Sequence, residues 1–153
     1  MVRNRFTIGA LAAVCLAVCV PASAHPVPFS FIDLRLQPDA LEITLVVHIF
    51  DLAHDLSIEP PERLFEPAIL AARGDDVVAL LRHRLTIGAD GGALSAGTWS
   101  APEPLPDRQS MRLRARVALM QPPGRVDVSA AMFPYDPQHK TFLNVYEGGS
   151  VTA

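Results

Sequence analysis

The chain has 153 residues, of which 50% are hydrophobic and 19% charged, and its formal net charge is −3. Without the two arginines near the start, 11 basic residues stand against 16 acidic ones, and the formal charge becomes −5. Such an acidic domain lacks the basic face that nucleic-acid binding requires, so we expect no nucleic-acid partner.

Residues 1–24 have the layout of a secretory signal peptide. A short basic start precedes an apolar run, Phe6–Val20, and small residues end the segment at Ala24. This layout predicts export and cleavage after Ala24, since the run is shorter than the roughly 20 residues of a membrane-spanning helix. Both cysteines precede the cleavage point. We therefore expect one periplasmic domain, residues 25–153, that has no disulfide.

Alternating apolar residues predict the first two strands. Ser30–Gln37 alternates apolar and polar side chains, and Leu41–Phe50 carries an apolar face rich in β-branched residues. This period of two is typical of half-buried strands. Pro38–Ala40 has the composition of a turn, so the two segments are predicted to form a hairpin.

The middle of the chain is predicted to contain one helix. Asp51–Pro67 is expected to be irregular, because its three prolines exclude a long helix across it. Asp75–Arg84 has apolar residues at helical spacing, and Asp75 or Asp76 is expected to cap it. Leu85–Ile87 is predicted to be a short strand.

The rest of the chain again has the period of strands. The proline-rich Ser95–Arg108 is predicted to be a connection or an edge strand. Three strands are then expected, at Met111–Leu119, Arg125–Met132 and Thr141–Tyr146. About six short strands with proline and glycine turns predict a mainly β fold, a β-sandwich-like domain with one short helix.

One strand carries a row of arginines, Arg112, Arg114 and Arg116, on its polar face. Three guanidinium groups on one sheet face could bind an anion or anionic lipid headgroups. The alternative is a solvated face whose arginines pair with acidic neighbours, and the acidic composition favours it.

Enzymatic motifs are missing from the sequence. No cysteine follows residue 24, and Ser95, Ser100 and Ser129 stand in no nucleophile-elbow pattern. No glycine-rich phosphate loop is present. We therefore expect a protein that is not an enzyme.

Four histidines are candidate metal ligands. After cleavage, His25 would offer its amine and its imidazole to copper, although Pro26 removes the next amide donor. His48, His54 or His139 could complete such a site. His48 and His54 also stand near Asp51 and Asp55 in the sequence, and nitrogen and carboxylate ligands suit zinc or nickel. The alternative is that each is an ordinary polar residue of a strand or loop.

The stretch PYDPQHKTF, Pro134–Phe142, is the most distinctive in the chain. Its two prolines fix backbone angles, and Asp136 can bond its own backbone in a turn. This composition predicts a rigid, anchored loop between two strands, in which His139 donates to a backbone carbonyl. It argues against a zinc site, which needs three or four ligands.

The longer stretch FPYDPQHKTFLNVYEGG, Phe133–Gly149, resembles a motif in the extracytoplasmic N-terminal region of HupE/UreJ-like membrane proteins. That motif joins Phe-Pro-Tyr-Asp-Pro-x-His to Phe-x-Asn-Val-Tyr and a glycine turn. The start His25–Ser30 is similar to the beginning of these domains. The resemblance covers most of the chain after the signal. The motif residues here are Phe133, Pro134, Tyr135, Asp136, Pro137, His139, Phe142, Asn144 and Tyr146.

The resemblance implies a periplasmic β-sandwich that acts with membrane helices, in a family associated with nickel or cobalt uptake. The implied partner is the set of membrane helices of a fused or separate HupE/UreJ-like protein. Because the sequence stops at Ala153 before any such helices, we expect a truncated chain or a domain with separate membrane partners. The alternative function is a free periplasmic copper-binding protein anchored on His25.

Overall fold

A computed structural model describes residues 29–95 and 97–147 and the backbone of residues 150–151, so the predicted signal peptide and His25 lie outside the described residues. No helix in this described part is long and apolar enough to cross a membrane. The strands are β1 (Phe29–Leu36), β2 (Ala40–His48), β3 (Leu85–Ala89), β4 (Gly92–Ala93), β5 (Thr98–Trp99), β6 (Glu103–Leu105), β7 (Ser110–Ala118), β8 (Val126–Ala130), β9 (Lys140–Glu147) and β10 (Ser150–Val151). The α-helices are α1 (Ile49–Leu56) and α2 (Pro67–Arg84), and 3-10 helices occupy Pro61–Phe65 and Pro106–Arg108.

The strands form two sheets. The large sheet has the order β10-β9-β1-β2-β7-β5, with β6 also paired to β7, and the small sheet has the order β4-β3-β8. β1 and β2 form the predicted antiparallel hairpin. β9 then pairs in parallel with β1 along its whole length. The predicted mainly β, sandwich-like fold is confirmed.

One hydrophobic core joins the two sheets and both helices. The alternation of β1, β2 and β7 places one face of the large sheet in this core, which removes its apolar side chains from water. The helices contribute Leu52, Val77 and Leu81, and the small sheet contributes Leu85 and Ile87. Because every layer buries side chains in the same cluster, the elements that carry polar groups are held at fixed separations.

The helices differ from the prediction in number and extent. α1 lies in the segment that was expected to be irregular, and α2 begins at Pro67, eight residues before Asp75. Proline is favourable at the first position of a helix, where no backbone donor is needed. The predicted capping role of Asp75 and Asp76 is wrong, because both lie inside α2 and Glu66 is its N-cap residue.

The arginine row of β7 is held in ion pairs on the outer face of the large sheet. Arg112 and Arg114 both bind Glu103. Arg116 pairs with Asp39 at 3.1 Å and with Glu42 at 2.9 Å. Hydrogen bonds from Arg112 and then Arg114 lower the pKa of Glu103 to about 2. The row is therefore the paired, solvated face that the acidic composition favoured.

Candidate functional site

The carboxylate of Asp51 is the most unusual polar group in the core. The residue is 0% exposed and lies in the first turn of α1, where the positive end of the helix favours a negative charge. Burying an ionised carboxylate is costly unless polar partners surround it. The structure must therefore supply partners for Asp51.

Two residues of the loop between β8 and β9 converge on this carboxylate. The hydroxyl of Tyr135 donates to Oδ1 of Asp51 at 2.6 Å. Nδ1 of His139 lies 3.2 Å from Oδ2, which is ion-pair distance, but the two atoms do not have the alignment of a hydrogen bond. The histidine side chain is only 4% exposed. The other ring nitrogen, Nε2, is 3.0 Å from Oγ of Ser30 in β1. The four side chains form one polar network that joins β1, α1 and the loop.

The sequence of contacts Ser30, His139, Asp51 has the order of a serine-hydrolase triad, in which histidine stands between a serine and an aspartate. A nucleophilic serine must also reach its substrate. Ser30 is 0% exposed, and it is the second residue of an extended strand instead of lying on a strand-to-helix elbow. We therefore interpret these contacts as structural, because they hold β1, α1 and the loop between β8 and β9 together.

The other two candidate histidines of the described part border the same network. His48 ends β2 and caps α1, since its Nδ1 accepts a hydrogen bond from the backbone N–H of Phe50 at 3.3 Å. The ring of His54 stacks on Tyr135 with 3.7 Å between centroids. The structure thus gathers His48, His54 and His139 around α1. Among the described residues, no group of three or more His, Cys, Asp or Glu could hold a metal ion.

A second polar group lies beside the first. Arg84, the last residue of α2, donates to the carboxylate of Asp55 in α1 and to the backbone carbonyl of Met132. Its guanidinium also lies 5.3 Å from the ring centroid of Phe133, within the range of a cation–π contact. Arg84 therefore ties both helices to the first residues of the loop.

The electrostatics of the site follow from burial. Desolvation raises the pKa of Asp51, and it also raises the pKa of Tyr135, which the hydrogen bond to Asp51 raises further. Desolvation lowers the pKa of His48, and the charge of Asp51 offsets part of this effect. Each shift favours the uncharged form of its group.

Replacing His48 by asparagine is expected to reduce the acid sensitivity of the fold. The pKa of His48 in the folded protein is below its ordinary value of 6.5. The imidazole is therefore protonated more readily in the unfolded chain than in the folded protein. The resulting stabilisation is present above about pH 6.5 and is lost as the pH falls through the folded pKa. Asparagine keeps an acceptor at the cap position but does not titrate.

The measurement is urea denaturation at about pH 7.5 and about pH 5.5, on either side of the ordinary histidine pKa. The loss in free energy of unfolding between the two pH values should be smaller in His48→Asn than in the wild type. An equal loss in both proteins would show that His48 is not the titrating group.

The loop lies between two strands and is anchored, as predicted, but the structure corrects the partners of His139. Asp136 Oδ1 accepts a hydrogen bond from the backbone of Gln138 at 2.8 Å, and Phe133 is 2% exposed. The predicted bond from His139 to a carbonyl is wrong, since its ring nitrogens face Ser30 and Asp51.

Sequence reasoning missed Ser30, and it grouped Asp51 with nearby histidines as a possible metal ligand instead of with Tyr135 and His139. Ser30 and His139 are 109 positions apart, and Asp51 and Tyr135 are 84 apart. One signal was available for Asp51. Its neighbours in the sequence are the apolar Phe50 and Leu52. An acidic residue between apolar residues of this kind is at risk of burial, and a buried carboxylate requires polar partners.

The remaining motif residues attach β9 to β1. Nδ2 of Asn144 donates to Oδ1 of Asp33 at 2.8 Å. The guanidinium of Arg35 lies 4.1 Å from the ring centroid of Tyr146. The ring of Phe142 stacks on the ring of Phe31 in β1. The described part of the motif therefore anchors both the loop and the strand that follows it.

Together these features define a mainly β, sandwich-like domain in which a buried polar network anchors a long strand near the end of the chain. In comparisons with known proteins, the chain matches no family model, no curated protein and no solved structure at a significant level.

Proposed function

We propose that this chain is a non-enzymatic extracytoplasmic domain of a HupE/UreJ-like membrane protein, linked to nickel or cobalt transport. The proposal starts from the resemblance of Phe133–Gly149 to the motif of that family. In this role the domain lies in the periplasm against the membrane helices of a fused or separate protein. It senses or delivers the metal, and the membrane helices transport it.

The observation that supports this proposal is that the motif's polar side chains are engaged within the domain. Tyr135 donates to Asp51, His139 is buried against the same carboxylate, and Asn144 donates to Asp33. Side chains that are occupied in this way fix a strand in position and are not free to act on a substrate. Such an arrangement suits a domain that must meet membrane helices in one orientation.

The outer side of the loop is the part that a membrane partner could reach. Tyr135 is 42% exposed although its hydroxyl is fixed on Asp51. The prolines Pro134 and Pro137 are also exposed, and they limit the backbone entropy that the loop would lose on binding.

The test is to fractionate cells that carry the native gene and to probe the fractions with an antibody against residues 29–147. We expect the domain in the membrane fraction, either within a product larger than 16.5 kDa or bound to a separate membrane protein. Deleting the gene should also lower nickel or cobalt uptake. A product confined to the soluble periplasm, with uptake of both metals unchanged, would contradict the proposal.

A second candidate is a free periplasmic copper-binding protein. The gathering of His48, His54 and His139 around α1 favours it, because one of them could complete a site that His25 begins. Against it, both ring nitrogens of His139 already face partners, and Nδ1 of His48 caps α1.

Titration calorimetry of the processed chain with copper, nickel and cobalt separates the two candidates. If the copper candidate is correct, acetylation of the N-terminal amine abolishes tight copper binding, whereas unchanged affinity contradicts it. If none of the three metals binds, the domain itself does not handle metal, and the fractionation result alone decides the membrane proposal.

A further inference from the structure

One edge of the large sheet is open along most of β9. β9 pairs with β1 through all eight of its residues, whereas β10 pairs only with Tyr146 and Glu147 on the other side. Within residues 29–95, 97–147 and 150–151, no strand lies beside Lys140–Asn144 on that side. The backbone groups along such an edge are a template for pairing with another strand.

The opposite edge of the same sheet is protected. β5 contains only two residues, and β6 contains Pro104, with Pro102 and Pro106 close on either side. Short strands and prolines are common protections against edge-to-edge pairing. The open segment of β9 has neither, and its one charged residue, Lys140, stands at its first position.

Each face of the open segment carries one exposed apolar residue. Phe142 is 44% exposed and Leu143 is 41% exposed, and successive residues of a strand point to opposite faces. Phe142 also belongs to a cluster of rings with Phe31, at 5.4 Å, and Phe29, at 5.5 Å. Phe29 is 38% exposed. A contiguous apolar patch beside an unpaired edge is typical of an interaction surface.

We propose that β9 of a second copy of this chain adds antiparallel to this edge and forms a two-fold symmetric dimer. Pairing centred on Phe142 places this residue opposite Phe142 of the second copy. Thr141 then faces Leu143 of the second copy. The two large sheets become one continuous sheet, and the two clusters of phenylalanine rings merge on its outer face.

The charges of the strand agree with this register. Lys140 faces Asn144 of the second copy, so the two lysines stand at opposite ends of the paired segment and do not repel each other. The proposed pairing covers only Lys140–Asn144 and stops short of Tyr146 and Glu147, where β10 occupies the edge. A second copy therefore fits the edge without displacing a described strand. This inference is independent of the proposed function.

The first test is to express the chain with its own leader, purify the processed product and measure its mass by light scattering over a range of concentrations. We expect a dimer that dissociates on dilution. Phe142→Lys should raise the dimer dissociation constant roughly tenfold or more, because it places charges at the centre of the pair. Met120→Lys is the matched control, since Met120 is fully exposed and lies outside β9, and it should leave the dimer unchanged.

The second test uses single cysteines in a background where Cys15 and Cys19 are replaced by serine. Directly opposed residues of antiparallel strands have Cα atoms about 4.5–5.5 Å apart, which is within disulfide range. Phe142→Cys should therefore cross-link two chains on oxidation, whereas Asn144→Cys, which does not face itself, should cross-link far less. Neither cysteine variant places a charge in β9, so this test does not depend on Phe142→Lys being folded.

Three outcomes overturn the proposal. The first is a wild-type chain that stays monomeric at every concentration. The second is a dimer that Phe142→Lys leaves intact, because it then forms through another surface. The third is equal cross-linking of the two cysteine variants.

Discussion

Replacing Asp51 by alanine lowers the free energy of unfolding by about 3 kcal/mol, because it removes the acceptor at the centre of a buried polar network and leaves the groups around it unpaired. Asp51 is 0% exposed and holds Tyr135 at 2.6 Å and His139 at 3.2 Å. After the substitution, the hydroxyl of Tyr135 loses its acceptor and the buried ring of His139 loses the carboxylate beside its Nδ1. Polar groups left unpaired in the core keep their desolvation cost.

Urea denaturation near neutral pH checks this prediction. Asp75→Ala is the matched control, because Asp75 is an exposed carboxylate within α2, and its loss should change stability by no more than about 0.5 kcal/mol. The loss of stability in Asp51→Asn should lie between the losses in the two alanine variants, since the amide oxygen of asparagine can still accept the hydrogen bond from Tyr135. Equal stabilities of Asp51→Ala and Asp75→Ala would mean that the network does not stabilise the fold.

Replacing Arg84 by methionine lowers the free energy of unfolding by about 2 kcal/mol, since hydrogen bonds of charged groups contribute more than neutral ones. Its guanidinium binds Asp55 and the carbonyl of Met132, and its side chain is only 17% exposed. Methionine preserves much of the apolar packing of the arginine stem. The loss therefore reports mainly on the polar contacts.

Arg82→Met is the control for this prediction. Arg82 is an exposed residue in the same last turn of α2, so it shares the helix environment but not the position of Arg84. Thermal or urea denaturation should give near wild-type stability for Arg82→Met. If both arginine variants lose the same stability, the loss arises from removing a positive charge from the last turn of α2 and not from breaking the contacts with Asp55 and Met132.

The longer strands could be predicted from the sequence because their burial follows a period of two, whereas the two- and three-residue strands are too short to show a period. The residues of β1, β2 and β7 that alternate in the sequence are the ones that enter the core. The helices were harder to predict. α1 is only eight residues long, and α2 has several small or charged residues in place of a continuous apolar stripe, so tertiary packing decides both.

The network could not be predicted because it depends on a pairing between distant parts of the chain. The motif loop was identified as rigid from its prolines and from Asp136, which are local signals. The partners of His139 are Ser30 and Asp51, and they meet it only because β9 lies parallel to β1. A parallel register over such a separation leaves no trace in local periodicity.

The parallel pairing of β1 with β9 also sets the order in which this chain can acquire its structure. β1 can pair with β2 early, since the two strands are neighbours in the sequence. The other edge of β1 remains unpaired until residues 140–147 have been synthesised and have folded against it. Contacts between such distant segments form late and slowly, because the chain must first close a long loop. A nascent or proteolytically shortened chain without β9 therefore presents β1 as an uncovered edge strand of its largest sheet, and chaperone binding or aggregation would act on that intermediate.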